Sequence, residues 1–199
     1  NHAPIYNLNI GTNGKPKILL VDQRYGDNSV LRGLGDQQIF EDMLNLAVKK
    51  FPDHEIIIKL HPDATSGIKR SYFNKDILRK FSKYKNIYTI NFDINPYSVF
   101  NEVDKVFVCS SGLGFEALMA GKEVHCFGVP FYANRGLTID YQRVEHRKKN
   151  VSLEIIFYYS YIYLSRYVNP ETGERCRLEE LLKFFIRDIY KINNNLEIN

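Results

Sequence analysis

Five short, continuous apolar runs alternate with segments of helical periodicity along most of this chain. Each run is too short for a typical helix and is bounded by turn-forming residues, which is typical of a strand that is buried on both faces. Strands that alternate with helices predict a parallel sheet with helices on both faces, which is a Rossmann-like α/β fold. The predicted strands are Lys17–Val21, Glu55–Leu60, Ile87–Ile90, Lys105–Cys109 and Glu123–Phe127.

The segments between these strands have the apolar spacing of helices. Asp36 is the predicted N-cap of the first, in which Ile39, Phe40, Met43 and Leu44 fall on one face. Further helices are predicted over 75–84, Pro96–Phe100 and Leu113–Ala120, and Gly121 follows the last of them in the C′ position. The polar, glycine-bearing stretch Gln23–Leu34 is predicted to be a loop.

The alternation of strand and helix stops beyond Asp140. Leu153–Leu164 and Leu178–Tyr190 have the spacing of two more helices, joined by a loop that contains Asn169 and Gly173. We therefore predict a lead-in or linker over residues 1–15, one Rossmann-like domain with C-terminal helices over residues 16–190, and a tail over residues 191–199.

Composition excludes several classes of protein. A net charge of +4 without a concentrated basic stripe does not predict nucleic-acid binding. The chain has three cysteines, an odd number, and they are widely spaced: Cys109, Cys126 and Cys176. We therefore expect their thiols to be reduced and packed, as in a cytoplasmic protein, and we do not expect them to bind a metal. The aromatic run Ile155–Leu164 is too short to span a bilayer and predicts a core helix, with peripheral contact at the inner membrane as the alternative.

Polar or glycine-bearing loops follow four of the predicted strands. Ligands of open parallel sheets bind beyond the carboxyl ends of the strands, so these loops are expected to share one rim. The segments concerned are Asp22–Ser29, His61–Asp63, Ser110–Gly114 and Gly128–Tyr132.

A strand end, two hydroxyls, two glycines and a helix start meet within Ser110–Glu116. Backbone N–H groups and the positive end of a helix would converge there, so we predict a phosphate site formed by Ser110, Ser111, Gly112 and Gly114. The alternative is a serine-capped helix after a tight turn. The glycine spacing is a variant of the dinucleotide fingerprint and lacks the acidic residue expected further along. Glu116 either interacts with the helix dipole or binds a nucleotide ribose.

The loop after the second strand contains His61 and Pro62. Proline stiffens this loop, and His61 could donate a hydrogen bond to a phosphate or to a leaving oxygen at neutral pH. In the first loop, Asp27 is either a turn residue that binds its own backbone or a catalytic carboxylate that faces the anomeric carbon of a sugar. Asp22 competes for the same catalytic role.

Four more residues are assigned to the sugar or acceptor side of the rim, although Arg135 could equally be a solvated surface charge. The basic run from Arg143 to Lys149 is predicted to be a solvated face, with contact to an anionic acceptor as the alternative. The four assigned residues are Gln23, Lys59, Tyr132 and Arg135.

Five motifs occur in an order that resembles a known family. They are Ile18–Val30, Lys59–Asp63, Ser110–Lys122, Phe127–Ala133 and Gly136–Asp140. The chain is similar over about Lys17 to Leu182 to the bacterial capsular polysaccharide synthesis family of retaining β-Kdo glycosyltransferases, which prime capsule chains on a lipid anchor.

This resemblance implies a GT-B-like enzyme of two Rossmann-like domains, of which this chain corresponds to the C-terminal, donor-binding one. It implies CMP-Kdo as donor, a glycolipid or Kdo-oligosaccharide acceptor, no cofactor, and no metal at the sugar nucleotide; the chain has no Asp-x-Asp sequence. By the same resemblance, His61, Ser110 and Ser111 hold the CMP phosphate, Glu116 contacts the ribose, and Asp27 rather than Asp22 is the nucleophile of a double displacement.

Such an enzyme also needs an acceptor-binding domain, either upstream or on another chain. Two alternatives to the Kdo transferase stay open. One is a transferase of similar fold that uses another CMP-sugar, such as CMP-sialic acid. The other is a nucleotide-binding domain without activity of its own that assembles with a partner.

Overall fold

The computed structural model describes residue 8 and residues 10–12, 14–65, 70–147 and 149–196. The chain divides into two compact units, Asn1–Val151 and Ser152–Asn199. The predicted sheet and every predicted site residue lie in the first unit. Most of the predicted lead-in and the end of the predicted tail lie outside the described residues, so the predicted domain bounds stay a prediction.

The first unit contains a six-stranded sheet in which every pair of neighbours is parallel. The strands are β1 (Lys17–Val21), β2 (Glu55–Lys59), β3 (Ile87–Ile90), β4 (Lys105–Val108), β5 (Glu123–Cys126) and β6 (Ile139–Asp140). The predicted Rossmann-like fold is confirmed, with predicted strand ends at most one residue too long. The short edge strand β6 was not predicted, because two residues give no periodicity to detect.

Six helices connect these strands: α1 (Asn28–Arg32), α2 (Gln37–Lys50), α3 (Pro62–Thr65), α4 (Lys75–Lys80), α5 (Pro96–Phe100) and α6 (Leu113–Met119). Asp36 caps α2 as predicted, since its side chain accepts the N–H of Ile39 at 2.9 Å. The prediction of a loop over Gln23–Leu34 is wrong in part, because α1 forms inside it with Asp27 as its N-cap.

Helices cover both faces of the sheet. Phe40 and Leu44 of α2 pack in one cluster with Phe107 of β4. Val108 points the opposite way in the same strand, and a Cβ atom on Gly114 of α6 would lie against its side chain. α2 and α6 therefore lie on opposite faces, and all five residues of β1 are buried.

Strand order places the ligand-binding crevice. In the order β3-β2-β1-β4-β5-β6, strands β2 and β3 lie on one side of β1. The chain then crosses back, and β4, β5 and β6 lie on the other side of β1. The connections after β1 and β4 therefore diverge, which leaves a crevice at the carboxyl ends of these two strands.

Two of the three cysteines lie in the core. Cys109 and Cys126 are free and fully buried, and burial raises the pKa of the Cys109 thiol to about 12. Neither is a nucleophile at neutral pH, because only the thiolate reacts. The prediction of packed, reduced thiols is confirmed for these two residues.

The second unit begins with the helix α7 (Leu153–Phe157), which continues as a π-helical segment over Tyr158–Tyr163. A small antiparallel hairpin of β7 (Tyr167–Val168) and β8 (Arg175–Cys176) follows, and then the long helix α8 (Leu178–Leu196). Tyr163 and Leu164 are more than half exposed. Within the described part of the chain, no helix combines the length and the apolar character that crossing a bilayer requires.

Candidate functional site

A cleft of about 370 Å³ opens at the carboxyl ends of β1, β2, β3 and β4. Its volume falls in the lower part of the range for small-molecule sites. The lining residues are Val21, Asp22, Gln23, Asp27, Ser29, Lys59, Leu60, His61, Pro62, Asp93, Ile94, Pro96, Ser110, Ser111, Gly112 and Leu113. The structure therefore brings together eight of the twelve predicted site residues: Gln23, Asp27, Lys59, His61, Pro62, Ser110, Ser111 and Gly112.

Gln23 joins the two strands that border the crevice. Its Oε1 accepts the backbone N–H of Ser110 at 2.9 Å, and its Nε2 donates to the hydroxyls of Ser110 and Ser29 at 3.2 and 3.1 Å. The side chain is 5% exposed, so each of these bonds replaces water that the buried groups have lost. The sequence predicted that Gln23 contacts the sugar or the acceptor. In the structure, its side chain links the loop after β1 to the turn after β4.

The turn after β4 has unpaired backbone donors. The N–H of Leu113 donates to the Ser111 hydroxyl at 3.2 Å, while the N–H groups of Ser111 and Gly112 donate to no acceptor within the described residues. Two adjacent free N–H groups at the wall of a cleft suit an anion. α6 has only seven residues, so these N–H groups contribute more to anion binding at this turn than the helix dipole does.

Tyr132 packs against this turn on the side of the protein interior. It is fully buried, and its hydroxyl donates to the carbonyl of Ser111 at 2.6 Å. Gly114 makes this packing possible, since a Cβ atom there would overlap the Tyr132 hydroxyl. Both residues were predicted to contact ligand, and the structure places both behind the turn, outside the cleft lining.

His61 is held in a defined orientation. The backbone N–H of Asp63 donates to its Nδ1 at 3.2 Å, and its own backbone N–H donates to Asp22 at 3.1 Å. Because Nδ1 accepts a hydrogen bond, the proton of the neutral ring is on Nε2. His61 can therefore donate from Nε2 to a ligand oxygen.

The carboxylates of Asp22 and Asp27 have different surroundings. Asp22 is 3% exposed and accepts hydrogen bonds from the backbone N–H groups of His61 and Phe73 and from the hydroxyl of Ser71. Burial raises the pKa of Asp22, and these hydrogen bonds offset part of that shift. Asp22 thus ties the His61 loop to the segment before α4.

Asp27 is half-buried and less engaged. Its Oδ1 accepts the N–H of Ser29 at 2.8 Å, which is the turn role considered above. Its Oδ2 has no hydrogen-bond partner within the described residues. Asp27 is therefore both the cap of α1 and a carboxylate at the cleft with one oxygen available.

The remaining predicted residues lie elsewhere in the first unit. Glu116 is half-buried on α6, where burial raises its pKa, and it is close enough to Tyr97 of α5 to contribute to raising the pKa of that phenol. Arg135 accepts the N–H of Val151 with its carbonyl and does not line the cleft.

Sequence reasoning missed the loop after β3. Asp93, Ile94 and Pro96 line the cleft, although only the loops after the other four strands were considered. The same rule that ligands bind at strand carboxyl ends would have found them, since β3 itself was predicted correctly.

Three cavities among the described residues are larger than the cleft. One of about 860 Å³ lies beside α4, one of about 770 Å³ lies within the second unit, and one of about 550 Å³ lies beside β6. None of them lies at the crevice between β1 and β4, and none contains the free N–H groups of the β4 turn. Position and chemistry, rather than size, identify the cleft as the candidate site.

Comparison with known proteins shows the family of this chain. The family model described as "Capsule polysaccharide biosynthesis protein" matches residues 5–167. The chain belongs to the capsule polysaccharide biosynthesis family. The resemblance inferred from the five motifs is thereby confirmed. A relative in curated collections is the capsule polysaccharide modification protein LipA of Neisseria meningitidis serogroup B (strain MC58), which is 33% identical over 193 residues, covering 92% of this chain and 27% of LipA.

Two solved structures from Thermosulfurimonas dismutans share the fold. The KpsC β-Kdo 2,4 transferase matches with a TM-score of 0.84 and 36% identity, over 92% of this chain and 56% of that one. The KpsC β-Kdo 2,7 transferase matches with a TM-score of 0.70 and 26% identity, over 89% of this chain and 56% of that one. The chain thus spans little more than half of these structures and about a quarter of LipA.

The packing of Tyr132 under the β4 turn makes a stability prediction. We expect Gly114→Ala to lower the free energy of unfolding by about 1–3 kcal/mol, because the added methyl group overpacks a buried site. Gly112→Ala is the matched control: its Cβ atom meets nothing within 4 Å, and its φ of −59° suits alanine. We expect it to change stability by less than about 0.5 kcal/mol. Urea denaturation measures both, and equal effects would contradict the packing described.

The Gln23 bridge makes a second prediction. Gln23→Leu keeps the side-chain volume but leaves the buried N–H of Ser110 without its acceptor, which should cost about 1–3 kcal/mol. Gln38→Leu is the control, since Gln38 is exposed on α2 and, within the described residues, its side chain bonds only to Asp42. Chemical denaturation compares the two variants. A Gln23→Leu protein as stable as the wild type would show that the bridge does not stabilise the crevice.

Proposed function

We propose that this chain is the donor-binding part of a capsule polysaccharide glycosyltransferase that transfers Kdo from CMP-Kdo to a glycolipid or Kdo-oligosaccharide acceptor. The observation that supports it best is the cleft at the β1–β4 crevice, in a chain 36% identical to a β-Kdo 2,4 transferase. Free N–H groups, a histidine with its proton on Nε2 and an available carboxylate meet in that cleft.

The proposed binding mode follows from the donors. The free N–H groups of Ser111 and Gly112 hold the CMP phosphate, and Nε2–H of His61 donates to it from the β2 side. These donors stabilise the negative charge that grows on the phosphate as CMP leaves. CMP is already a good leaving group, so no strong acid is required.

The proposed reaction is a double displacement at Asp27. Its free oxygen bonds to the anomeric carbon while the bond from that carbon to the phosphate oxygen breaks, and CMP departs with the electron pair. The acceptor hydroxyl then attacks the same carbon, the Asp27 carboxylate leaves, and the hydroxyl proton passes to that carboxylate. Two inversions give net retention. The structure favours Asp27 over Asp22 because both oxygens of Asp22 already accept hydrogen bonds from the protein.

Other parts of the proposed enzyme lie outside this cleft. The chain spans little more than half of the KpsC structures. We infer that an acceptor-binding domain completes the GT-B-like enzyme, and that the assembled enzyme works in the cytoplasm, peripheral to the inner membrane where a glycolipid acceptor would lie.

Titration calorimetry tests the nucleotide site. We expect CMP to bind and cytidine to bind at least about tenfold more weakly, because charge-assisted hydrogen bonds to a phosphate are worth more than neutral ones. A chain that binds neither ligand would refute the proposed donor site. A chain that binds CMP but never forms product, even with its acceptor domain, would be the non-catalytic alternative.

Intact-mass analysis after incubation with CMP-Kdo tests the nucleophile. We expect a gain of one Kdo residue, lost in Asp27→Ala, and a parallel incubation with CMP-sialic acid tests the rival donor. Trypsin separates the two candidate carboxylates, since cleavage after Arg24 places Asp22 in Ile18–Arg24 and Asp27 in Tyr25–Arg32. An adduct on Ile18–Arg24, or one that survives in Asp27→Ala, would exclude Asp27.

A further inference from the structure

Lys59 is a buried cation without a direct partner. It ends β2 at the cleft and is 6% exposed, and its ammonium group forms no hydrogen bond or salt bridge within the described residues. Burial lowers its pKa, and the more distant charges of Asp93 and Asp22 offset this only in part. An ammonium group in this position is costly unless an anion pairs with it.

The neighbouring carboxylates do not serve as that anion. Asp22 is occupied by Ser71, Phe73 and His61. Asp93 is exposed at the rim of the cleft, beyond salt-bridge distance of Lys59. The cleft therefore contains a cation for which the described residues of the first unit provide no counterion in contact, which is what a site for an anionic ligand group requires.

The strand order indicates which anionic group this is. The free N–H groups of the phosphate turn follow β4, whereas Lys59 ends β2, and β1 lies between them. Neighbouring strands are about 4.8 Å apart, so the strand ends that carry the two sites are about 10 Å apart, and Lys59 approaches the cleft from the side of β1 opposite to the phosphate turn. Asp27 follows β1 and lies between them along the sheet edge.

We propose that Lys59 binds the carboxylate of the donor sugar and thereby selects 2-keto acid sugars over neutral sugars. In such sugars the carboxylate is attached to the anomeric carbon itself. When Asp27 attacks the anomeric carbon in line with a phosphate that lies toward β4, the carboxylate extends to the side of that line, where it can lie toward β2 and Lys59. This inference rests on the proposed function, because it takes the phosphate site and Asp27 as given.

Titration of a Lys59→Met variant with two ligands tests the assignment. CMP has the phosphate but no carboxylate, whereas CMP-Kdo has both. We expect Lys59→Met to weaken CMP-Kdo binding at least about tenfold, since hydrogen bonds between charged groups are strong, and to change CMP binding less than twofold. Lys49→Met, which removes an exposed lysine from α2, should change neither affinity.

Each other outcome has a definite meaning. Equal losses of affinity for CMP and for CMP-Kdo would show that Lys59 contacts the phosphate. Unchanged affinity for both ligands would show that Lys59 does not contact the ligand. Either result overturns the assignment and leaves the proposed function intact. A wild-type chain that binds neither ligand overturns the proposed function and this inference together.

The denaturation midpoint of the same variant separates binding from a structural role. Met fills the space of the lysine stem without a buried charge, so we expect Lys59→Met to unfold at an equal or higher urea concentration than the wild type. A lower midpoint together with unchanged CMP-Kdo binding would show that Lys59 is a structural counterion of Asp22 and Asp93, and would refute the proposal.

Discussion

The hydrogen bonds of Gln23 hold together the carboxyl ends of β1 and β4, and the candidate site depends on that contact. Parallel strands whose connections diverge leave an open crevice, which would otherwise expose buried backbone groups. A single amide side chain satisfies the N–H of Ser110 and the hydroxyls of Ser110 and Ser29. It fixes the loop that ends in Asp27 against the turn that carries the free N–H groups, so two loops 87 residues apart in the chain form one wall.

Polar groups in and behind the cleft fall into two kinds. Asp22 and Tyr132 are buried and fully bonded to the protein, and they position the His61 loop and the β4 turn respectively. Among the residues that the structure describes, Lys59, one oxygen of Asp27 and the N–H groups of Ser111 and Gly112 have no such partner. Buried polar groups in proteins are nearly always paired, so the buried ammonium group of Lys59 marks the place where a ligand supplies a missing partner, and Asp27, Ser111 and Gly112 are accessible enough to meet that ligand.

Much of this architecture could be predicted locally. β1 and β3 have the predicted limits, and the predicted N-cap of α2 and the packing of Cys109 follow from residue type and spacing. Two predictions failed for a common reason: α1 and β6 are too short to show periodicity and form because tertiary contacts stabilise them. The loop after β3 was missed although its strand was correct, because the rule that ligands bind at strand carboxyl ends was applied to the other four strands and not to β3.

The sequence by itself determined the succession of strands and helices along the chain, the burial of the central strands and the family to which the chain belongs. These follow from apolar spacing and from motifs that are local along the chain. The tertiary structure decided which polar residues face a ligand. Tyr132 and Gly114 pack behind the turn, Asp22 accepts hydrogen bonds from the protein, and Lys59 has no partner in the described part of the chain. Those distinctions depend on the order of strands in the sheet and on contacts between distant segments, which residue spacing does not encode.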